Sequence, residues 1–196
     1  CRRIAYDFNI YAGGKKEDNK SGIKIVNLPA NLLIKSKVHI SIVSKPFTKK
    51  GLAYWRQYGI TKNLLELFHV KELSCYYINN KTIYPKYVTF AYDFGKYKYK
   101  ILSPDNIDFK WISNTGLNVV QGFHQLPRTG NILFITKSYK DVIALRSIGA
   151  YAIAPQSETV PISIKLMEYL KAGWKKIIIY YDNDSTGISA AKNLCL

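Results

Sequence analysis

The stretch Lys175–Gly187 constrains the fold of this chain more than any other part of the sequence. Within it, Ile177–Tyr181 is an unbroken apolar and aromatic run, the pattern of a strand that is buried on both faces. Side chains alternate along a strand, so Asp182 and Asp184 are expected to leave its carboxyl end on the same side. A pair of acids is therefore predicted at one end of a buried strand.

Two neighbouring carboxylates repel each other unless a positive charge lies between them. Their oxygen atoms suit Mg²⁺ or Mn²⁺, so Asp182 and Asp184 are candidate metal ligands. A helix is predicted to follow, with Ser185 or Thr186 as its cap. The alternative is structural: the two acids only end the strand and cap that helix.

Residues 131–196 alternate strand and helix patterns. The predicted elements are the strands Ile132–Thr136, Ala150–Ala154 and Ile177–Tyr181 and the helices Ser138–Ile148 and Pro161–Gly173. This order predicts an α/β fold with a parallel sheet and right-handed crossovers. Because ligands bind beyond the carboxyl ends of such strands, Lys137, the loop that contains Glu158, and the two aspartates are expected to converge on one rim.

The region before residue 131 has a different pattern. Thr48 and Thr61 are predicted N-caps of two short helices that form a hairpin. From Tyr76 to Leu102, aromatic and β-branched runs separated by turn residues predict antiparallel strands. We therefore expect an α+β part over residues 23–130, followed by the parallel β/α sheet.

The charge of the chain points to a polyanionic partner. The net charge is +16, from 29 Lys and Arg against 13 Asp and Glu, and nucleic acid is the first candidate. Lys96, Lys98 and Lys100 alternate with apolar or aromatic residues, so a strand here would have one cationic face. Either these lysines are only solvated, or they form a platform for single-stranded nucleic acid; the charge favours the platform.

The remaining composition excludes several classes of protein. Cys1, Cys75 and Cys195 are isolated and lack zinc-ligand spacing, which favours a reducing, cytoplasmic environment. No apolar run approaches the roughly 20 residues of a spanning helix, and no secretory signal is visible. We expect no membrane partner.

Several motifs together resemble the Toprim catalytic domain of bacterial and phage DNA primases of the DnaG type. The motifs, over residues 46–196, are Asp182–Gly187 (Asp-x-Asp-x-x-Gly), Ser138–Leu145, Gln121–Pro127, Lys110-Trp111 with Asn114, Trp55–Ile60 and Phe68–Val70. Cys1–Ile10 is similar to the last helix of a zinc-ribbon module, so residues 1–22 are expected to end such a module and its linker. The chain begins with Cys and stops just after a predicted helix begins, so we expect a piece of a longer protein, and zinc only upstream of it.

The resemblance implies a nucleotidyltransferase that makes RNA primers on single-stranded DNA from ribonucleoside triphosphates, in bacterial or phage replication. It implies two divalent metal ions, Mg²⁺ or Mn²⁺, a replicative helicase as a candidate partner, and a piece that can be inactive alone. The implied roles are metal chelation by Asp182 and Asp184, DNA backbone contacts by Lys96, Lys98 and Lys100, and nucleotide or template contacts by Lys110, Trp111 and Asn114.

The sequence departs from the family at a strand-end Glu, which is Lys137 here. Three explanations are open: Lys137 binds phosphate as a fixed charge in place of one metal ion, Glu158 supplies the missing acid as a metal ligand, or the site binds without catalysis. We favour the first. Asp141 is also open, because Ser138 and Asp141 fit a capping box and the resemblance places Asp141 near the metal site.

Three other functions compete with primer synthesis. The pattern Asp182-x-Asp184 also resembles the nucleophile motif of haloacid-dehalogenase-like phosphohydrolases, with Asp182 as nucleophile and Asp184 as acid–base. Another Toprim enzyme, such as a nuclease or topoisomerase, is the second, and a degenerate Toprim module that binds single-stranded DNA without catalysis is the third. His39, His69 and His124 are scattered, and we expect them to be ordinary surface or packing residues.

Overall fold

The structure, a computed structural model, describes the backbone of Arg3–Asp7 and residues 38–194. The strands are β1 (Arg3–Asp7), β2 (Ile40–Lys45), β3 (Val70–Ile78), β4 (Lys81–Ile83), β5 (Phe90–Asp93), β6 (Tyr99–Leu102), β7 (Trp111–Ser113), β8 (Gly130–Thr136), β9 (Tyr151–Ile153) and β10 (Trp174–Asp182). The helices are α1 (Lys49–Arg56), α2 (Lys62–Leu67), α3 (Tyr139–Ser147), α4 (Ile164–Gly173) and α5 (Ser185–Leu194). In this part of the chain, no helix is long and apolar enough to cross a membrane.

The strands form two sheets. The first has six strands in the order β2-β3-β5-β6-β7, with β4 beside β3, and every pair is antiparallel. The second has the order β1-β10-β8-β9, in which β10, β8 and β9 are parallel and β1 is an antiparallel edge. The predicted fold class, an α+β part followed by a parallel β/α sheet, is confirmed.

One core joins the two sheets. Trp55 of α1 and Tyr92 of β5 are fully buried, and they pack in one cluster with Tyr139 of α3 and Ala152 of β9. The Tyr139 hydroxyl donates a hydrogen bond to the carbonyl oxygen of Phe68, at 2.8 Å. The helical hairpin and α3 are therefore fixed against each other, and the two sheets have a defined relative position.

The hairpin helices begin where the sequence predicts. The amide of Gly51 donates to Thr48 Oγ1 at 3.0 Å, and the amide of Leu64 donates to Thr61 Oγ1 at 3.4 Å. Glu72 of β3 is fully buried and accepts from the Thr48 amide at 2.8 Å and from Thr48 Oγ1 at 2.9 Å. The first cap is therefore tied to the core through Glu72, whereas the second is at the surface.

This difference gives a matched pair of variants. Thr48→Ala removes a cap and leaves the buried Glu72 carboxylate with fewer donors, so the free energy of unfolding should fall by about 2 kcal/mol. Thr61→Ala removes only a longer, exposed cap bond and should cost about 0.5 kcal/mol. Urea unfolding of both variants measures the difference, and equal losses would show that Glu72 does not couple to the cap.

One predicted element has the wrong type. Arg3–Asp7 was expected to be the tail of a helix, but it is a strand that pairs with β10 along Arg3↔Asp182 to Asp7↔Ile178. The edge of β10 supplies backbone partners, and this tertiary pairing overrides the helical pattern. The other residues of the 1–22 segment lie outside the described residues, so its assignment to a zinc-ribbon module stays a prediction.

Two predicted helix starts are also wrong. Helix α4 begins at Ile164 with Ser163 as its N-cap, so Pro161 precedes the helix. The cap of α5 is Asp184, whose Oδ1 accepts from the Gly187 amide at 2.7 Å, and Ser185 and Thr186 lie inside the helix. An aspartate is as good a cap as serine, and here it comes first in the chain.

Candidate active site

The rim at the carboxyl ends of β10 and β8 brings Asp182 and Lys137 together. Tyr180 is in register with Thr136, so the residues that follow both strands lie side by side. Lys137 Nζ donates to Asp182 Oδ2, and the exposed fractions of the two side chains are 34% and 18%. The predicted convergence is confirmed for Lys137 and Asp182, with the ammonium group held directly against the carboxylate.

Asp184 has a structural role as well as a position on the rim. Its Oδ1 caps α5, and its backbone carbonyl accepts from the Ile188 amide at 2.9 Å. Its carboxylate therefore lies at a helix N-terminus, where partial positive charge stabilises an anion. A Cβ on Gly187 would lie 3.1 Å from the Asp182 amide nitrogen and closer still to the Asp182 carbonyl, so glycine lets α5 begin against the strand end.

Glu158 is the third acid of this rim, and it follows β9. Burial raises the pKa of Glu158, the negative charges of Asp184 and Asp182 raise it further, and the Lys137 ammonium opposes them. Its Oε2 is buried and has no hydrogen-bond partner among the described residues. The four charged side chains therefore act on one another, and one carboxylate oxygen lacks the partner that a buried polar atom normally has.

The carboxylate oxygens of the rim are the donor atoms that a divalent ion would use. Among residues 38–194, no group of three His, Cys, Asp or Glu side chains is arranged as a metal cage. Mg²⁺, however, is usually held by one or two carboxylates together with water and substrate phosphates. The three acids of the rim therefore do not form a closed cage. An open site would rest on the two aspartates, with the unpartnered Glu158 oxygen as a further donor, and Lys137 already supplies positive charge to Asp182.

A cleft of about 580 Å³ lies beside the rim. Glu158 lines it, as do the hydroxyl side chains of Ser185, Thr186 and Ser189 along α5. This volume is in the range of small-molecule binding sites, and the hydroxyl groups could accept or donate hydrogen bonds to a ligand.

The three lysines of the predicted platform do not share one face of a strand. Lys96 and Tyr97 have positive φ angles of 48° and 57° and lie in the turn before β6, so the predicted alternation is wrong there. Lys96 is exposed, and Lys98 Nζ donates to the Asn114 carbonyl at 3.3 Å. Lys100 is half-buried on β6 and donates to the Gln156 carbonyl at 2.9 Å. This turn requires a left-handed backbone conformation at Lys96 and Tyr97, and the alternating sequence pattern did not indicate it.

Lys110, Trp111 and Asn114 lie together but differ in role. Lys110 is exposed, and Trp111 is 42% exposed with its ring centroid 5.9 Å from that of Tyr92. The Asn114 side chain accepts from the Tyr99 amide at 2.8 Å and donates to the Tyr97 carbonyl at 2.9 Å. Asn114 therefore holds the turn, and Lys110 and Trp111 face solvent.

Asp141 lies in the predicted Ser-x-x-Asp pattern at the start of α3, where Ser138 is the N-cap. It is 4% exposed, its carboxylate accepts from Ser138 Oγ at 2.8 Å, and its amide donates to the same hydroxyl at 3.3 Å. These bonds give Asp141 a structural role at the start of α3, and a role at the metal site stays a prediction.

His69 and His124 line a second cleft, of about 280 Å³.

Sequence reasoning missed the residues that hold the loop after β9. Gln121 and Ala154 exchange two backbone hydrogen bonds, at 2.7 and 2.9 Å. Thr115 Oγ1 donates to Gln156 Oε1 at 3.0 Å, and Gln156 Nε2 donates to the Val119 carbonyl at 2.9 Å. Neutral polar residues in loops give no periodic signal, so the pattern could not reveal these contacts.

No protein family model matches this chain, and no curated protein matches it in sequence. Solved structures do match its fold. The structure of the DnaG catalytic core aligns with a TM-score of 0.60 at 16% identity, over 76% of this chain and 60% of that one. The DnaG primase catalytic domain bound to ssDNA aligns with a TM-score of 0.57 at 15% identity, over 76% and 61%.

The primase fragment of the bacteriophage T7 primase-helicase protein aligns with a TM-score of 0.55 at 15% identity, over 71% of this chain and 58% of that one. The chain thus spans about 60% of the length of the solved structures it matches. At these identities the likeness concerns the fold, and the chain has the fold of a DnaG-type primase catalytic core.

Proposed function

We propose that this chain is the Toprim-containing catalytic part of a DnaG-type primase, which joins ribonucleotides into primers on single-stranded DNA. The observation that carries the proposal is the rim itself: Asp182, Asp184, Glu158 and Lys137 meet at the carboxyl ends of parallel strands, within a primase catalytic core fold. Ligands bind at this edge of such sheets.

In this proposal, Asp182 and Asp184 would hold one divalent ion together with water and triphosphate oxygens, and Glu158 would be a further acid beside them. When bound, the ion supplies positive charge to the triphosphate and to the oxygen atoms on which charge develops. Lys137 supplies a second positive charge that belongs to the protein itself. Asp182 holds the Lys137 ammonium at the rim, so that charge is in place before a triphosphate arrives.

The template would pass along the first sheet. Lys96 and Lys98, in the turn before β6, and Lys110 would contact DNA phosphates, and the half-exposed Trp111 ring would stack on a base. The net charge of +16 supports an anionic partner, and the matched DnaG catalytic domain was solved bound to ssDNA. The T7 match belongs to a primase-helicase protein, and a replicative helicase is a proposed partner here too.

The DNA contacts give a salt-dependence prediction. Lys96→Ala and Lys98→Ala should each weaken binding about equally across DNA sequences and lower the salt slope by about 0.7–1 unit. Fluorescence anisotropy with labelled single strands, at several salt concentrations, measures the slope. A loss confined to one DNA sequence would instead assign these lysines to base recognition.

The experiment for the activity itself is a primer-synthesis assay. The chain is incubated with single-stranded DNA, labelled ribonucleoside triphosphates and Mn²⁺ or Mg²⁺, beside an Asp182→Asn variant. The proposal predicts metal-dependent di- and oligonucleotide products that the variant does not form. Metal-dependent cleavage of the DNA instead would favour a nuclease or topoisomerase.

One observation favours a second candidate, a degenerate module that binds single-stranded DNA without catalysis. The Lys137 ammonium on Asp182 opposes a cation at that carboxylate. Metal-independent DNA binding with no nucleotidyl transfer would decide for this candidate. The phosphohydrolase alternative has no support from the fold matches, and a beryllofluoride adduct on Asp182 would be its signature.

A further inference from the structure

The loop that carries Glu158 is hydrogen-bonded to the first sheet and to the segment that follows β7. Gln156 is held at both ends of its side chain by Thr115 and the Val119 carbonyl. Its own backbone carbonyl accepts a hydrogen bond from Lys100 Nζ at 2.9 Å. Glu158 lies only two residues further along, so the position of its carboxyl depends on these attachments.

Lys100 is the charged member of this set of contacts. Its side chain leaves β6 on the same face as the buried Leu102, and its Nζ lies 5.1 Å from the centroid of the Trp111 ring. The ammonium is therefore placed between an aromatic ring of the first sheet and a carbonyl of the second sheet's loop. Because of these two contacts Lys100 is half-buried, whereas Lys96 is exposed to solvent.

The energetics of this arrangement favour a fixed loop. Burial lowers the pKa of the Lys100 ammonium, because an amine loses hydration when it is half-buried. Such a group is compensated by cation–π attraction and by a charge-assisted hydrogen bond, which is stronger than a neutral one. Removing the ammonium would leave the Gln156 carbonyl without this donor and release one attachment of the loop.

We propose that Lys100 is a positioning residue, and not a DNA contact: its ammonium fixes the loop after β9 and so holds Glu158 at the cleft that it lines together with Ser185 and Thr186. The consequence for metal binding rests on the proposed function above, whereas the fixing of the loop does not. Residues that orient metal ligands from outside typically change metal affinity by about 10–100-fold when they are removed.

The test compares Lys100→Met, which keeps the length of the side chain, with Lys100→Arg, which keeps the charge. Lys98→Met is the matched control, because Lys98 also donates to a carbonyl but on the Asn114 side of the hairpin. The first readout is hydrogen exchange of the amides in residues 156–160, including the Val160 amide, which donates to the Ser157 carbonyl at 3.0 Å. The second readout is Mn²⁺ affinity by titration calorimetry, and the third is the salt slope of DNA binding.

Lys100→Met should speed exchange in residues 156–160 by about tenfold or more and weaken Mn²⁺ binding by about 10–100-fold, with an unchanged DNA salt slope. Lys100→Arg should restore most of the slow exchange and of the Mn²⁺ affinity. Lys98→Met should alter neither exchange nor Mn²⁺ affinity, and as a proposed DNA contact it should lower the salt slope by about 0.7–1 unit. Unchanged exchange in Lys100→Met overturns the proposal, as does faster exchange with unchanged Mn²⁺ affinity. An unaltered chain that binds no Mn²⁺ contradicts the metal site of the proposed function and the effect of Lys100 on it, and the exchange data still decide whether Lys100 fixes the loop.

Discussion

Replacing Gly187 by alanine is expected to abolish primer synthesis and Mn²⁺ binding by this chain. The new Cβ would lie 3.1 Å from the Asp182 amide nitrogen and closer to the Asp182 carbonyl, and both are backbone atoms that cannot rotate away. Helix α5 or the end of β10 must shift, and each carries one of the two aspartates. A displacement of about 1 Å at reacting groups can cost about 100-fold in rate, and overpacking of this kind costs about 1–3 kcal/mol of stability.

Gly149→Ala is the matched control for this variant. Gly149 has a φ of +82°, and no atom of the described residues lies within 4 Å of an added Cβ, so alanine there adds backbone strain without a collision. It should cost about 1–2 kcal/mol of stability and leave Mn²⁺ affinity and product yield unchanged. Similar losses of Mn²⁺ affinity in both variants would mean that Gly187 acts through stability alone.

The second large effect concerns Lys137. Lys137→Met removes the ammonium that is bonded to Asp182, and in this account also a phosphate contact. Ribonucleoside triphosphate affinity should fall by about 10–100-fold, since a hydrogen bond to a charged group contributes about 1.5–3 kcal/mol. Mn²⁺ affinity without nucleotide should rise, because the competing positive charge on Asp182 is gone.

Lys140→Met is the control for charge in the same region. Lys140 Nζ lies 3.9 Å above the Tyr58 ring, so it already has a structural partner. The affinity for a fluorescent ribonucleoside triphosphate is measured for the unaltered chain, for Lys137→Met and for Lys140→Met. Unchanged triphosphate affinity and unchanged primer yield in Lys137→Met would remove Lys137 from the phosphate site.

The rim was predictable because its residues follow strands. Strong apolar runs located β8 and β10, and the rule that parallel strands end at one edge then placed Lys137 beside Asp182. The caps of α1 and α2 were predictable for a similar reason, since Thr48 and Thr61 precede helical patterns directly. Local patterns and topology together were sufficient for these features.

Features that depend on tertiary contacts were not predictable. The strand at Arg3–Asp7 exists because β10 offers a free edge, and nothing in its own sequence distinguishes it from a helix tail. The lysines before and within β6 show an alternating pattern, yet the turn at Lys96 and the Gln156 carbonyl above Lys100 give them different surroundings. The attachments of the Glu158 loop join residues 34–56 positions apart, a distance that no local pattern spans.

Titration calorimetry with Mn²⁺ decides whether the acidic rim binds a divalent cation. The intact chain is compared with Asp182→Asn and with Asp184→Asn, which keeps an oxygen atom that can cap α5. The account predicts binding of one ion by the unaltered chain and loss of that binding in both variants. An unaltered chain that binds no ion, or variants that bind as well as it does, would contradict the metal site and leave a module that binds DNA without catalysis.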